Sequence, residues 1–406
     1  MTLGVHSEVG RLRTVIVHRP GLEMRRLTPS NARDLLFDDV PWATRAAQEH
    51  DAFTAVMRDG YGVDVLYVHE LLEDVVRTPE GRAYLLDRKL VADEVGVNGV
   101  TEMRSWMDEL DAETLVRNLI GGVTVGELPP DFRAWASRAY GDHQFVLPPL
   151  PNQLFTRDSS SWIYRGVTIN PKFSPARRKE TLHLAAIYRF HPRFRDGDFT
   201  FWWGYPSEVD HGSATLEGGD VMPIGNGIVL IGMGQRTTYQ AVSQVAKALF
   251  DHGAASRVIA AKMPHDRASM HLDTVFTFCD RDLATVYTPV VDMIRPISYY
   301  PADAGVEVII EEGHWLEVVA QAMGLESLRV IPTGGDSFEQ AREQWDDGNN
   351  VVALEPGVVV AYNRNEYTNA KLRQAGVTVI EIEGSELGKG RGGGHCMTCP
   401  VSRDPI

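Results

Sequence analysis

Four short stretches of the chain carry side chains of the kinds that do chemistry. NQLFTRDSS holds Asn152, Arg157 and Asp158, and LEGGD holds Glu217 and Asp220. MHLD holds His271 and Asp273, and GRGGGHCMTCP holds Arg391, His395 and Cys396. Together they supply a thiol, imidazoles and several carboxylates. A thiol beside a basic group is a common activated nucleophile, and histidine is the natural proton carrier near neutral pH. Carboxylates in excess of those needed for proton transfer point to a cationic substrate. A planar guanidinium presents its N–H donors in a fixed fork that pairs best with in-plane carboxylates, and burying its charge requires such a partner. Asp158 and Asp273 are suited to that pairing.

Each of these residues also has a plainer reading. His271 alone could be a hydrogen-bonded core histidine, Asp273 a cap, and Asp158 the surface partner of Arg157. Glu217 and Asp220 around two glycines could form a tight turn. In PARRKE, Arg177 and Arg178 read in isolation as a surface pair. Cys279, inside the apolar run VFTFC, reads as a buried structural cysteine. Cys396 and Cys399 form a C-x-x-C, which elsewhere means zinc or redox exchange. Only Cys279 remains as a further soft ligand, and Pro400 follows Cys399 at once, so neither use is favoured.

What could bring these stretches together is a repeat. GVTINPKFSPARRKETL from Gly166, GIVLIGMGQRTTYQAV from Gly227 and GVVVAYNRNEYTNAKL from Gly357 share a pattern: a glycine, a β-branched strand, a polar loop, then a helical start. LATVYTPVV from Leu283 fills the double gap between the second and third, and RTVIVHRPG from Arg13 supplies a fifth unit. The excess before Gly166 reads as a helical insertion over 70–140, where apolar residues recur at helical spacing, Asp111 is an N-cap and Gly121-Gly122 a stop. The expected organisation is a first unit over 1–69, a helical subdomain over 70–140 and four further units over 141–406, which carry the catalytic residues. A radial array would gather the strand edges about one axis. An ordinary α/β sheet remains the alternative.

The formal net charge of −15 excludes a general nucleic-acid surface and suits a small cation. The start lacks a basic segment followed by an apolar one, and no apolar run reaches the length of a membrane span, so no membrane association and a cytoplasmic location are expected. Three cysteines do not make a disulfide framework, which fits a reducing compartment.

In combination and in this order, FTRD, EGGD, HLD and the terminal glycine-rich segment ending in HCM give a chain that resembles the bacterial arginine deiminases over nearly its whole length. That family belongs to the guanidine-modifying enzymes of the pentein fold. The resemblance implies a five-bladed pseudo-symmetric α/β propeller of ββαβ-type repeats with an inserted helical subdomain. It also implies hydrolysis of free L-arginine to L-citrulline and ammonia through an S-alkylthiouronium on Cys396. His271 would be general acid and then general base, oriented by Glu217, while Asp158 and Asp273 grip the guanidinium and Phe155 lines the alkyl channel. Asn152, Arg177 and Arg236 would read the α-carboxylate, and Arg391 would swing in as the glycine segment closes. No metal or organic cofactor is implied, and a homo-oligomer, dimer or tetramer, is. Rival readings are amidino transfer, a peptidyl-arginine or methylated substrate, and a non-enzymatic arginine-binding or zinc-dependent regulatory protein.

Overall fold

The computed structural model describes residues 3–204 and 212–406. Its recurring element is a pair of antiparallel strands followed by a crossover to a third strand parallel to the second. Ser160–Ile163, Gly166–Ile169 and Thr200–Trp203 form one such sheet, with the helix Glu180–Phe190 in the crossover. Val221–Gly225, Ile228–Met233 and Arg257–Lys262 form the next, crossing through Tyr239–Asp251, and Arg295–Pro301 and Val306–Ile310 extend that sheet beyond Arg257–Lys262. Phe276–Asp280, Leu283–Val286 and Arg329–Pro332 repeat the pattern, as do Val352–Glu355, Val358–Tyr362 and Thr378–Ile382 around the helix Glu366–Gln374. A fifth sheet joins the two ends of the chain, and a separate two-stranded sheet pairs Val123–Thr124 with Phe145–Leu147. Cys399–Arg403 lies antiparallel to Leu12–Val17, which is parallel to Asp64–Tyr67 across the helix Ala43–Ala55. The five strands expected from the repeat are the middle ones of the three named for each unit.

Local chemistry accounts for the pattern. Parallel neighbours require a long crossover, which a helix supplies. The middle strands LRTVIV, GVTI, IVLIGM, LATV and VVVAY are almost wholly buried and β-branched, as sheets covered on both faces demand. The Asn226-Gly227 turn has φ of 53° and 72°, the left-handed pair of a tight hairpin.

Between Tyr67 and Ser160 the chain is mostly helical. Val68–Val76 buries Val68, Leu71, Leu72, Val75 and Val76, one face of an amphipathic helix. Ala112–Gly121 begins where the Asp111 side chain accepts a 2.9 Å bond from the Thr114 N–H, and it ends at Gly122, whose φ is 78°. These helices share one core with Ile16, Leu66, Val167 and the helix carrying Leu182 and Ile187. Among the described residues no helix is long and apolar enough to cross a membrane.

Candidate active site

The stretch immediately before the first strand of each unit holds the polar residues. Asp158 lies in the 3-10 turn Thr156–Ser159 before Ser160–Ile163, and Glu217 caps the turn Gly218–Asp220 before Val221–Gly225. His271 caps the turn Leu272–Thr274, which contains Asp273, before Phe276–Asp280. Cys396 comes just before Cys399–Arg403. Equivalent strand ends thus deliver residues far apart in sequence to one place. The ten residues that the resemblance assigns to the site lie together here. Asn152, Phe155, Asp158, Arg177, Arg236, His271, Arg391 and Cys396 line a narrow cavity of about 300 Å³ together with Leu36, Arg267, Met270 and Gly390. Glu217 and Asp273 stand behind it. A larger open cleft, lined by His18, Arg25, His69 and Arg117, contains none of the ten.

Around the sulfur, Asp273 Oδ2 is 3.4 Å from Cys396 Sγ, and one atom each of His271, Asp273 and Cys396 lie within 4.8 Å of one another. His271 Nε2 is 2.9 Å from Glu217 Oε2. Its Nδ1, 3.8 Å from Asp158 Oδ1, has no hydrogen-bond partner. Burial alone would lower the imidazole, but Asp158, Glu217 and Asp220 outweigh it and push His271 up to about 9. Burial would raise Glu217, yet Arg236, Arg177 and His271 hold it well below the usual carboxylate range. The thiol goes the other way. Burial and the charges of Asp273, Asp158 and Asp347 push Cys396 well above its ordinary value. The site as it stands therefore pairs a protonated imidazole with a neutral thiol, and a cation placed among the carboxylates would favour the thiolate.

The raised imidazole carries a stability consequence. His271 binds its proton more tightly folded than unfolded, so its contribution is complete below about 6.5 and is lost as pH rises through about 9. Glu217→Gln removes part of the cause. Thermal melts at pH 6.5 and 9 should show the wild type losing more Tm than Glu217→Gln across that interval; a larger loss in the variant would contradict the charged imidazole.

The residues assigned to the amino-acid end of the substrate are held by neighbours. The Arg177 guanidinium donates to Asp158 Oδ2 at 2.8 Å, Glu180 Oε2 at 3.0 Å and Glu217 Oε2 at 3.3 Å, so it is a buried hub and not half of a surface pair with exposed Arg178. Asn152 Nδ2 donates to the Leu35 carbonyl, and Arg236 Nη1 is buried without a hydrogen-bond partner. Arg391 adopts left-handed backbone with φ of 67°. Its guanidinium lies 3.5 Å from the Trp345 ring centre and donates to the Trp345 carbonyl.

The glycines before the cysteine answer to close packing. A Cβ on Gly392 would overlap the Phe155 ring, and one on Gly393 would sit 2.5 Å from the Asn350 carbonyl oxygen. Asn350 also fastens this loop: its Oδ1 accepts from the N–H groups of Gly393 and Cys396 at 2.9 and 3.0 Å, and its Nδ2 donates to the Asp273 carbonyl at 3.2 Å. Gly393→Ala should therefore displace the loop that carries Cys396, costing about 1–3 kcal/mol of stability, with any turnover falling alongside. Unchanged melting and kinetics would show that the loop has room to spare.

Sequence reasoning missed Asn350, Glu8 and Glu180. Asn350 was findable, because it stands just before Val352–Glu355, the position that supplies the polar residue in the other four units. Among the remaining cysteines, Cys279 is fully buried with its thiol pushed up to about 12 by burial. Cys399 lies in its strand against Ser160 and Tyr188.

A family model described as arginine deiminase matches residues 33–403. Among solved structures, the DDAH from Pseudomonas aeruginosa in complex with citrulline is 16% identical, with a TM-score of 0.52 over 96% of this chain and 99% of that one. SxtG, an amidinotransferase of saxitoxin biosynthesis from Microseira wollei, is 14% identical with a TM-score of 0.54, covering 100% and 98%. ArgZ, an arginine dihydrolase from the ornithine–ammonia cycle in cyanobacteria, is 13% identical with a TM-score of 0.52, covering 97% of this chain and 40% of that one. At these identities the likeness is one of fold, mixed α/β in each case.

Proposed function

Because the chain belongs to the arginine deiminase family, we propose that it hydrolyses free L-arginine to L-citrulline and ammonia through a covalent intermediate on Cys396. The observation that carries this reading is the clustering of Cys396 Sγ, an Asp273 oxygen and a His271 nitrogen within 4.8 Å of one another. With the imidazole charged and the thiol neutral, the arrangement favours the thiolate once a cation binds.

The substrate guanidinium enters between Asp158 and Asp273. Its charge offsets theirs, the thiol gives up its proton to solvent, and Sγ attacks the guanidinium carbon. His271 delivers a proton to the departing nitrogen, the C–N bond breaks and ammonia leaves, so that carbon remains bonded to sulfur as an S-alkylthiouronium. The now neutral His271, held by Glu217, takes a proton from water as the oxygen adds to that carbon. The C–S bond then breaks as the hydroxyl proton passes to the departing sulfur, releasing citrulline and restoring the neutral thiol, so that the net products are citrulline, ammonia and the proton first lost to solvent. Arg177, Arg236 and Asn152 read the α-carboxylate on this proposal, which requires Arg177 to share its donors between substrate and the carboxylates it already holds. Phe155 lines the alkyl channel and Arg391 leaves Trp345 to close over the ligand. The same reading takes the five repeated sheets as blades of one α/β propeller, with the helices of 70–140 inserted after the first.

The test is incubation of purified protein with L-arginine, measuring citrulline and ammonia in equal amounts. Agmatine, methylated arginines and an added amine acceptor form the comparison set. Faster turnover of any of these would move the assignment to a related guanidine hydrolase or to an amidinotransferase. The oxygen, nitrogen and sulfur atoms of His271, Asp273 and Cys396 are also close enough to share a metal ion. Activity unchanged by chelator, in protein assayed for zinc, supports the metal-free route.

A further inference from the structure

Behind the nucleophile lies a buried chain of groups that the mechanism above does not use. His395 is 2% exposed, and both of its ring nitrogens face carboxylates: Nδ1 is 2.8 Å from Asp273 Oδ2, and Nε2 is 2.9 Å from Glu8 Oε2. Asp273 Oδ2 is also the oxygen that lies 3.4 Å from Cys396 Sγ, whereas its Oδ1 has no partner. Glu8 is 5% exposed and comes from the other end of the chain. Arg157 approaches it at 3.8 Å, and against burial Arg157, His395 and then Arg403 hold its carboxyl below the usual range.

An imidazole can donate from both nitrogens only when both carry hydrogen. A ring placed between two carboxylates at hydrogen-bonding distance is satisfied on both sides in that form alone, and a buried charge of this kind persists only with a counter-ion. Glu8 is that counter-ion on the side away from the sulfur. Resting on the proposed reaction, we infer that Glu8 and His395 are positioning residues for Asp273: they hold Oδ2 against the nucleophile and leave Oδ1 directed to the substrate guanidinium. Glu8 acts only through His395, because its carboxylate bonds the ring and not Asp273. The role depends on charge and not on shape alone. A neutral carboxamide at position 8 fills the same space but no longer balances an imidazolium.

The experiment is a double-mutant cycle of Glu8→Gln and His395→Gln, read as kcat and KM for L-arginine with Tm measured alongside. Glu8→Gln is expected to lower kcat/KM by about 10- to 100-fold, the range for loss of a partner that orients a reacting group. The double variant is expected to fall within twofold of His395→Gln. A structural role for Glu8 would be rescued by the isosteric glutamine, so kcat/KM within twofold of wild type in folded Glu8→Gln overturns the inference. Losses that multiply in the double variant also overturn it, since Glu8 would then act independently of His395. Should Glu8→Gln fail to fold, His395→Gln decides the matter, because it leaves Glu8 with its arginines; turnover within twofold of wild type would remove the role. A wild type that releases no citrulline defeats the proposed reaction and this inference with it. An active wild type with insensitive variants defeats the inference alone.

Discussion

Cys396→Ser is expected to release no measurable citrulline from L-arginine, with kcat reduced by roughly 10³-fold or more, while its melting temperature should stay near that of the wild type. The size of the loss follows from the electrostatics of the site. Even the thiol is pushed well above its ordinary value of 9.0 by burial and by Asp273, Asp158 and Asp347. Only the charge of the bound guanidinium is available to bring it back, because His271, held near pKa 9 by Asp158, Glu217 and Asp220 against burial, is already protonated and cannot serve as the base. That charge can rescue a thiol, but a serine hydroxyl starts several units higher and stays protonated. Cys399→Ser is the internal control. Its sulfur sits in the strand Cys399–Arg403 near the Ser160 and Tyr188 hydroxyls, and its loss should leave turnover within a fewfold of wild type. Quenched turnover mixtures of the wild type should carry, on Cys396, a mass increase equal to arginine less ammonia. Turnover by Cys396→Ser within tenfold of wild type, or an adduct on Cys399, would end the assignment.

The same geometry explains which parts of the site could be read from sequence. Asp158, Glu217, His271, Asp273 and Cys396 were legible because each stands in a short motif just before a β-branched strand, and the repeat of that strand predicts that its neighbours meet. The pairings were not legible. Arg177 stands two residues after Pro175 in PARRKE and looks like a solvated cation. Only the fold buries it against Asp158, Glu180 and Glu217, since Glu180 opens the crossover helix of that unit and Glu217 arrives from the next. Glu8 was invisible for a related reason. It lies near the start of the chain in a stretch without strand or helix periodicity, and it reaches His395 because Cys399–Arg403 pairs with Leu12–Val17. Contacts that depend on the two ends of a chain joining one sheet leave no local signature.

The glycine segment shows the same limit from the other side. Composition identifies GRGGG as a place where backbone must do something unusual, and both a mobile lid and a tight turn satisfy that description. The fold adds the neighbours: the Phe155 ring against Gly392 and the Asn350 carbonyl against Gly393. Close approach is enough to require glycine at both positions whether or not the segment moves. Arg391 stacked on Trp345 then becomes the part of the loop on which movement can be tested, since its release should alter the emission of that tryptophan when arginine binds to Cys396→Ser.

Asp273→Asn is expected to change two rates in opposite directions. Turnover of L-arginine should collapse, with kcat/KM down by roughly 10³-fold, because the carboxylate that pairs with the guanidinium is gone and the bound cation is no longer held beside the sulfur. Alkylation of Cys396 by iodoacetamide in the absence of arginine should instead accelerate. After burial, Asp273 is the largest influence raising the thiol, and its Oδ2 lies 3.4 Å from Sγ. Removing a like charge at that distance is worth about 1–3 pK units, and the thiolate fraction rises about tenfold for each unit. The intrinsic nucleophilicity of the sulfur falls as its pKa falls, so the net gain at pH 8 should be about threefold for each pK unit, about three- to fiftyfold in all. Opposite signs distinguish an electrostatic role from damage. A variant that simply disordered the loop would lose turnover, but it would also lose the Asn350 bonds that fix Cys396, and its melting temperature would drop. If Asp273→Asn slows alkylation as well as turnover in a folded protein, Asp273 does not hold the resting thiol neutral, and substrate charge is not what activates Cys396. If alkylation accelerates while turnover collapses, the carboxylate that opposes the thiolate in the empty site is the one that recruits the cation needed to form it.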